Sequence, residues 1–227
     1  MFSIVIPLFN ESENIEKLIF EIEVSLKKIR DYEIILVDDG STDQTSEIIK
    51  KNNFDRVKLF NNLKNKGQSF SIVKGIKNSI NDIIVTLDGD GQNDPKDIPK
   101  LIDIYLNNKD IKLVGGIREN RKDNYSKIVA SKIANYIRSK ILKDRCKDTG
   151  CSLKVFEKKI FLSFPYFDGI HRFLPALYNG YGYKTKFVSV KHRKREFGIS
   201  KYGNLRRLYS GIGDIVKVKN IIKERKS

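Results

Sequence analysis

Short apolar runs alternate with longer helical patterns along the first half of the chain. Strands are predicted at residues 2–7, 32–37, 57–60, 82–87 and 111–117. The stretches between them carry apolar side chains at helical spacing, which predicts helices at residues 13–29, 42–49, 67–80 and 95–106. Nearly continuous apolar strands separated by helices are typical of a parallel sheet that is covered on both faces.

The second half of the chain has a more basic and less regular pattern. A basic amphipathic helix is predicted at residues 125–142, and its apolar stripe contains Ile128, Val129, Ile133, Ile137 and Ile141. We expect this stripe to pack against the sheet. After it the sequence predicts a turn at 148–154 leading into a short strand or helix, a helix at 171–178, a strand at 186–191 and a last helix at 205–222.

The acidic segment TLDGDGQNDP at residues 86–95 directly follows a predicted strand. Asp88 and Asp90 therefore lie just past the strand end, where two carboxylates one residue apart can bind one hard cation. Ligands of parallel sheets bind at the carboxyl ends of the strands, and Pro7 and Asp38 fall at such ends as well. This convergence predicts a binding site, whereas the acidic segment taken alone could be a simple turn.

The charge of the chain is unevenly distributed. The 44 basic and 28 acidic side chains give a net charge of +16. Residues 1–113 carry 16 basic and 19 acidic side chains, whereas residues 114–227 carry 28 and 9. A basic half implies an anionic partner, which could be a nucleic acid, a phospholipid or a phosphorylated substrate.

Apolar runs and cysteines indicate the compartment. No uncharged apolar run approaches the roughly 18–20 residues that span a bilayer, and the first residues lack the features of a signal peptide. Cys146 and Cys151 are too few for a zinc site, and we expect both to be reduced. The sequence therefore predicts a cytoplasmic protein.

Six motifs identify a family resemblance. They are IVIPLFNE (4–11), LVDDGSTDQT (36–45), TLDGDGQNDP (86–95), KDTGCSLKVF (147–156), YFDGIHRFLPAL (166–177) and HRKREFGISKYG (192–203). The first three resemble the family 2 inverting glycosyltransferases, and the others are similar to the polyprenyl-phosphate sugar synthase branch, the dolichyl-phosphate mannose synthase-like enzymes. The resemblance implies an α/β, Rossmann-like nucleotide-diphospho-sugar transferase (GT-A type) three-layer fold with a mostly parallel central sheet.

The resemblance also implies a donor site. Its nucleotide-sugar-binding residues would be Pro7, Asn10, Glu11, Asp38, Asp39, Asp88, Arg195, Ser200 and Lys201. Asp39 would contact the base or ribose, and Asp88 would position the donor sugar or ribose. A divalent metal, Mg²⁺ or Mn²⁺, would be bound by Asp90 and Gln92. The chain has Gly91 where the family often has a hydrophobic residue, which loosens the loop without removing an oxygen ligand.

The implied acceptor site is basic. Its phosphate-binding residues would be Arg118, Arg121, Lys127 and Arg172. Arginine suits this role because its planar fork binds phosphate oxygens in pairs. A solvated basic loop is the alternative for Arg118 and Arg121, and a solvated helix face is the alternative for Lys127. The implied catalytic set is Asp88, Asp90, Arg118 and Arg121.

The implied reaction is a metal-dependent, inverting transfer of a sugar from a UDP or GDP donor to a polyprenyl phosphate. A phosphate monoester has a second pKa of about 6, so the acceptor arrives ionised and needs no general base. The implied catalytic domain spans residues 1–203, with a nucleotide-binding half (1–118) and an acceptor half (119–203). The basic helix at 204–227 would then lie in the membrane interface or pack on the protein. We expect peripheral association with the inner face of the cell membrane, and a homo-oligomer stays open.

Two other functions are weighed against this one. A glycosyltransferase that acts on a sugar hydroxyl would need a carboxylate base, for which Glu157, Asp168 and Asp148 are the candidates. A nucleic-acid-binding protein would fit the basic charge, but the sequence contains no recognition module and leaves the carboxylates at three strand ends unexplained. We therefore expect no nucleic-acid partner.

Overall fold

A seven-stranded sheet forms the centre of the molecule. The structure is a computed structural model that describes residues 1–119, 135–195 and 204–225. The strands are β1 (Phe2–Leu8), β2 (Tyr32–Asp38), β3 (Val57–Asn61), β4 (Ile83–Thr86), β5 (Ile111–Glu119), β6 (Lys154–Glu157) and β7 (Lys184–Lys191).

Helices connect most of the strands. They are α1 (Ile15–Ser25), α2 (Thr45–Asn52), α3 (Gln68–Asn78), α4 (Ile98–Leu106), α5 (residues 135–142 in the described part), α6 (Lys158–Leu162), α7 (Ile170–Gly180) and α8 (Asn204–Glu224). A 3₁₀ turn at Pro95–Asp97 precedes α4. Asp94 caps this turn by accepting a hydrogen bond from the Lys96 amide, and Pro95 provides the fixed φ that favours a helix start.

The strand order is β3-β2-β1-β4-β6-β5-β7. Strands β1 to β4 pair in parallel, as do β5 and β7. Strand β6 is antiparallel to both of its neighbours, β4 and β5. The predicted fold class, an α/β fold with a mostly parallel sheet, is confirmed. The structure adds the position and direction of β6, because the sequence predicted only a short strand or helix there.

Two apolar clusters cover the two faces of the sheet, which gives three layers. The residues of β1 alternate between them: Ile4 and Ile6 face the cluster that contains α1 and α4, whereas Val5 faces the one that contains α3 and α7. Helix α3 approaches the sheet closely at Gly75, where a Cβ atom would lie 2.5 Å from Val5 Cγ1. This close approach fixes the height of α3 above the sheet.

The orientation of α5 differs from the predicted one. Ile137 and Ile141, which were expected to pack inward, are 50% and 43% exposed. Leu142 is buried instead, together with Arg138. The Arg138 guanidinium donates to Asp144 Oδ2 over 2.5 Å and also to the carbonyl of Cys146, so a buried ion pair turns this side of the helix inward. The remaining residues of the predicted stripe lie outside the described residues.

The described part of α8 packs on the protein. Val218 is fully buried, and Ile215, Ile221 and Ile222 contact the cluster that contains α7. The ring of Tyr181 lies 4.2 Å from the Arg225 guanidinium carbon. Among residues 1–119, 135–195 and 204–225, no helix combines the length and apolar character needed to cross a bilayer.

Cys146 and Cys151 are buried and form no disulfide, as expected. Burial raises the pKa of the Cys146 thiol to about 11 and raises the pKa of the Cys151 thiol as well. Since the thiolate is the reactive form, both cysteines act as small apolar side chains.

Candidate active site

The carboxyl ends of β2, β1 and β4 lie side by side, because β1 pairs with both of the others in parallel. Leu8 at the end of β1 is opposite Asp38 at the end of β2, and Thr86 ends β4 two residues before Asp88. The predicted convergence of Pro7, Asp38 and Asp88 is therefore present at one edge of the sheet.

Asp88 is held by hydrogen bonds from two sides. Gln68 Nε2 donates to Asp88 Oδ1 over 2.7 Å, and the Asp88 amide donates to Ser152 Oγ over 3.1 Å. Gly89, the next residue, packs against β1. A Cβ atom on Gly89 would lie 2.4 Å from Leu8 Cδ2. Burial, together with the neighbouring Asp90 carboxylate, raises the pKa of Asp88 to about 6.

Asp90 lies between the acidic loop and the basic segment after β7. Its Oδ1 accepts from the Gln92 amide over 3.1 Å, and its Oδ2 is 3.6 Å from Arg195 Nη1. Arg195 Nη2 donates to Glu11 Oε1 over 2.8 Å. Arg195 thus connects Glu11 and Asp90, so this predicted donor-site arginine lies directly at the acidic loop.

The basic segment is attached to the acidic loop through the backbone as well. The Arg193 amide donates to the Gln92 carbonyl over 2.8 Å, and Asn93 forms a bridge with His192. The Gln92 side-chain nitrogen points to the Arg193 carbonyl at 3.5 Å. Gln92 therefore contacts the segment that carries Arg195, and its role as a metal ligand stays a prediction.

The second carboxylate pair, Asp38 and Asp39, holds the loops around the site. Asp39 accepts from Asn62 Nδ2 and from the amides of Lys66 and Gly67, over 2.7, 2.9 and 2.7 Å. Asp38 accepts from the Ser41 amide over 2.9 Å and from Ser46 Oγ over 2.5 Å. Both side chains are buried, so their contacts with a nucleotide stay a prediction.

Asn10 joins the loops after β1 and β2. It has a left-handed φ of 55°. Its amide donates to Ser41 Oγ over 2.9 Å, and its Oδ1 accepts from the Thr42 amide over 2.8 Å. Glu11 is tied to the start of α2, since its amide donates to Thr45 Oγ1 over 2.9 Å. The predicted nucleoside-site residues Asn10 and Glu11 therefore lie in a braced loop.

On the acceptor side, Arg118 forms a two-pronged ion pair. Its Nε and Nη2 donate to the two carboxylate oxygens of Asp148, each over 2.8 Å, and its amide donates to Asp148 Oδ2 over 3.1 Å. Gly150 leaves room for the guanidinium, because a Cβ there would lie 2.9 Å from Arg118 Nη2. The fork that was predicted to bind phosphate is thus turned toward Asp148.

Arg172 also has an acidic partner. Its Nη2 donates to Asp214 Oδ2 of α8 over 3.0 Å, and the Arg172 side chain is 33% exposed. Arg172 therefore ties α7 to α8. Four other predicted site residues, Arg121, Lys127, Ser200 and Lys201, lie outside the described residues.

Residues 3–165 match the family described as "Glycosyl transferase family 2". The chain belongs to glycosyl transferase family 2. The predicted enzyme class is thereby confirmed, and the strand-end carboxylates described above lie within the matched region of this family 2 chain.

Curated relatives carry narrower names. The chain is 35% identical over 210 residues to an undecaprenyl-phosphate 4-deoxy-4-formamido-L-arabinose transferase of Pectobacterium carotovorum. The matched region covers 90% of the chain and 63% of the relative. It is 34% identical over 223 residues to a dodecaprenyl-phosphate galacturonate synthase of Rhizobium johnstonii, which covers 95% and 65%. The chain therefore spans less than two thirds of the length of either relative.

Solved structures share the fold at low identity. Glucosyl-3-phosphoglycerate synthase of Mycobacterium tuberculosis, in a complex with Mn²⁺ and UDP, has a TM-score of 0.71 at 17% identity and covers 96% of the chain and 78% of that protein. Mannosyl-3-phosphoglycerate synthase of Rubrobacter xylanophilus has a TM-score of 0.73 at 15% identity and covers 100% and 75%. At these identities the likeness shows the fold alone.

The acidic loop of this family 2 chain fits a divalent metal. The described residues contain no group of three His, Cys, Asp or Glu side chains that could hold a metal by themselves, so a bound ion would need further ligands, such as diphosphate oxygens. The carboxylate oxygens of Asp88 and Asp90 are of the hard type that such an ion prefers. The raised pKa of Asp88 reflects, after burial, the repulsion between these two carboxylates, which a cation would relieve.

Three site residues of the family 2 chain were not predicted from the sequence. Gln68 and Ser152 hold Asp88, and Asn93 accepts from Ser152 Oγ over 2.7 Å. Gln68 had one available signal, its position at the start of the predicted helix directly after Gly67. Ser152 had none, because its role depends on the antiparallel β6 that follows it.

Lys154, the first residue of β6, is a buried cation near the acidic loop. Its Nζ donates to the carbonyl of Cys151 and lies 3.5 Å from that of Thr149. Burial lowers the pKa of Lys154, while the charges of Asp88 and Asp148 act in the opposite direction. In its protonated form, Lys154 lowers the pKa of Asp88 and so opposes the effect of burial on that carboxyl.

Proposed function

We propose that the chain transfers a sugar from a nucleotide-diphospho-sugar to a polyprenyl phosphate, with a divalent metal and with inversion at the anomeric carbon. The observation that carries this proposal is the pair Asp88 and Asp90 at the end of β4, beside the ends of β1 and β2. Family membership supports sugar transfer. The names of the relatives, which are polyprenyl-phosphate enzymes, support the acceptor.

The donor would lie at the ends of β2, β1 and β4. Mg²⁺ or Mn²⁺ would be held by the predicted ligands Asp90 and Gln92, and we add Asp88, which was assigned to the donor sugar or ribose from the sequence, as a further oxygen ligand. The metal would neutralise the departing diphosphate. Arg195, which contacts Glu11 and Asp90, would offset the remaining negative charge when the donor is present. The predicted donor residues Ser200 and Lys201 follow in the same basic segment.

The acceptor would bring its own ionised nucleophile. A lipid phosphate is largely deprotonated at neutral pH, so the site must attract an anion rather than remove a proton. Arg118, Arg121, Lys127 and Arg172 are the residues that we propose for this attraction. Arg118 and Arg172 already donate to Asp148 and Asp214, so a phosphate would have to share their guanidinium groups with these carboxylates.

The structure reduces the number of candidate bases for the alternative in which a sugar hydroxyl is the acceptor. Of its three candidate bases, Asp148 is bonded to Arg118 through both oxygens. Glu157 pairs with Ile83 at the start of β4, which is the far edge of the sheet from Asp88. Asp168 alone stays near the site, with its Oδ1 3.9 Å from the Cβ position of Gly67.

A transfer assay tests the proposal. The protein is incubated with radiolabelled UDP- and GDP-sugars, Mn²⁺ or Mg²⁺, and a short polyprenyl phosphate, and lipid-extractable label is measured. We expect a glycosyl phosphate lipid of inverted configuration, which is lost with EDTA. Label that enters a free sugar acceptor and never the lipid would favour the hydroxyl alternative, and an Asp168→Asn variant would then be inactive.

Membrane association is the last part of the proposal. A lipid acceptor requires that the site approach an anionic surface, and the basic excess of residues 114–227 suits this. Because the described part of α8 packs on the protein, the better candidate is the exposed side of α5. Tyr136, Ile137 and Ile141 are exposed there beside exposed lysines, and aromatic and aliphatic side chains among cations are typical of interfacial helices.

A further inference from the structure

The first turn of α3 reaches the acidic loop from the neighbouring crossover. Gln68, the first residue of the helix, donates to Asp88 Oδ1 over 2.7 Å. The Asp88 amide donates to Ser152 Oγ over 3.1 Å, and the Ser152 side chain also interacts with the Asp88 carboxylate. Gln68 is thus a contact from outside the loop that helps to orient the Asp88 carboxylate, with a full hydrogen bond to Oδ1.

Gln68 itself lies in a firmly anchored turn. On one side, Asp39 Oδ2 accepts from the Gly67 amide over 2.7 Å. On the other side, the buried Ser69 Oγ accepts from the Gly169 amide over 2.7 Å and lies 2.8 Å from His171 Nδ1. Further along α3, Gly75 keeps the helix close to the sheet. A side chain that starts from such a turn has little freedom to move away from Asp88.

The chemistry of the donor group matters as much as its position. A primary amide donates a hydrogen bond without bringing a charge, so it can orient a carboxylate and leave the negative charge available to a cation. A lysine or arginine at the same place would neutralise Asp88 and compete with a metal. Gln68 also leaves Asp88 Oδ2 for other contacts, because its bond is made to Oδ1.

We infer that Gln68 is a positioning residue that fixes Asp88 for metal-dependent nucleotide binding. The inference rests on the proposed function for the identity of the ligand, and it adds a residue that lies outside the acidic motif. Residues that orient ligands of a metal typically change metal affinity or activity by about 10–100-fold when they are replaced. We expect Gln68→Met, which has a similar shape and no donor, to weaken Mn²⁺-dependent nucleotide binding by about that factor.

The test measures Mn²⁺ binding by EPR in the presence of UDP or GDP, and the melting temperature without ligand. Gln44→Met is the matched control, because Gln44 is an exposed residue before α2 whose side chain makes no capping hydrogen bond. Ser79→Ala is the structural control, because Ser79 Oγ donates to the Ile76 carbonyl at the other end of α3. We expect Gln68→Met to change Mn²⁺ affinity with little change in melting temperature, and Ser79→Ala to do the opposite.

Each outcome decides the inference. The inference would be overturned if Gln68→Met bound Mn²⁺ with wild-type affinity. It would also be overturned if Gln68→Met lost affinity only through a lower melting temperature, so that Ser79→Ala with a similar fall in melting temperature lost as much affinity. If the wild-type protein binds Mn²⁺ and nucleotide but transfers no sugar to polyprenyl phosphate, the proposed acceptor is wrong and the role of Gln68 still stands on the binding data. If the wild-type protein binds neither UDP nor GDP with Mn²⁺, both proposals are wrong.

Discussion

At the scale of single residues, the sharpest prediction concerns the proposed metal-binding role of Asp90. Its Oδ1 accepts from the Gln92 amide, a contact that the isosteric Asp90→Asn variant can keep while it loses the charge. For wild-type protein, a nucleotide with Mn²⁺ at 100 times its Kd should raise the free energy of unfolding by about 2.7 kcal/mol. We expect this metal-dependent part to vanish in Asp90→Asn, as measured by thermal shift, and to persist in the exposed control Asp103→Asn. A stabilisation that survives in Asp90→Asn would show that Asp90 binds no metal.

Arg118 provides a second prediction at this scale, because its fork is bonded to Asp148. Both side chains are largely buried, at 13% and 6% exposure, so removal of one leaves the other charge uncompensated. We expect Arg118→Ala to lower the free energy of unfolding by about 3 kcal/mol in urea denaturation. Lys184→Ala, which breaks the exposed pair with Asp110, should leave stability unchanged. An Arg118→Ala variant of wild-type stability would show that the buried pair with Asp148 does not stabilise the fold.

The residue scale also shows how far the sequence can predict the site. Asp88 and Asp90 were predictable because a strand, an acidic motif and glycines are local in the chain. The partners of Asp88 were not, since Gln68 is 20 and Ser152 is 64 positions away and neither residue type signals a carboxylate partner. An arginine such as Arg118 or Arg172 indicates an anionic partner. The sequence pattern does not distinguish a phosphate group from the carboxylate of a nearby aspartate.

At the scale of elements, the first half was predictable, and so were α7, β7 and α8 of the second half, whereas the direction of β6 and the inward face of α5 were not. The apolar periods of β1 to β4 and their helices are local patterns, and parallel pairing follows from the crossovers. Strand β6 has four residues, and its partners β4 and β5 are far away in sequence, so no local pattern defines its direction. On α5, the buried Arg138–Asp144 pair outweighed the apolar stripe.

The prediction at this scale concerns the packing of helix α3. The distance of α3 from the sheet determines the position of Gln68 relative to Asp88. Gly75→Ala would put a Cβ 2.5 Å from Val5 Cγ1 and 3.1 Å from Val37 Cγ2. Overpacking of this kind costs about 1–3 kcal/mol, which exceeds the roughly 1 kcal/mol that alanine gains over glycine in a helix. We expect a lower free energy of unfolding by chemical denaturation. Gly213→Ala on α8, where the added Cβ meets nothing within 4 Å, should be neutral or stabilising.

At the scale of the whole molecule, the charge asymmetry and the exposed apolar groups coincide. The basic excess lies in residues 114–227, and α5 in this half exposes Tyr136, Ile137 and Ile141. Lys140 lies 5.6 Å from the centre of the Tyr136 ring, so cation and aromatic ring share one surface. On α8, by contrast, Lys217 lies 5.6 Å from the Phe167 ring and Arg225 lies against Tyr181, so part of its charge is directed at the protein.

This contrast predicts which helix binds the membrane. We expect Ile137→Ser with Ile141→Ser to reduce sedimentation of the protein with vesicles that contain anionic lipid, because buried apolar area and cations together determine interfacial affinity. Neutralising Lys140 and Lys143 should weaken binding further and reduce its dependence on salt. Leu63→Ser with Leu106→Ser is the matched control, since these leucines are also exposed but lie in the acidic half of the chain. If instead neutralising Lys217, Lys219, Lys223 and Arg225 abolishes vesicle binding while the α5 variants keep it, α8 is the membrane helix and the site approaches the lipid from that side.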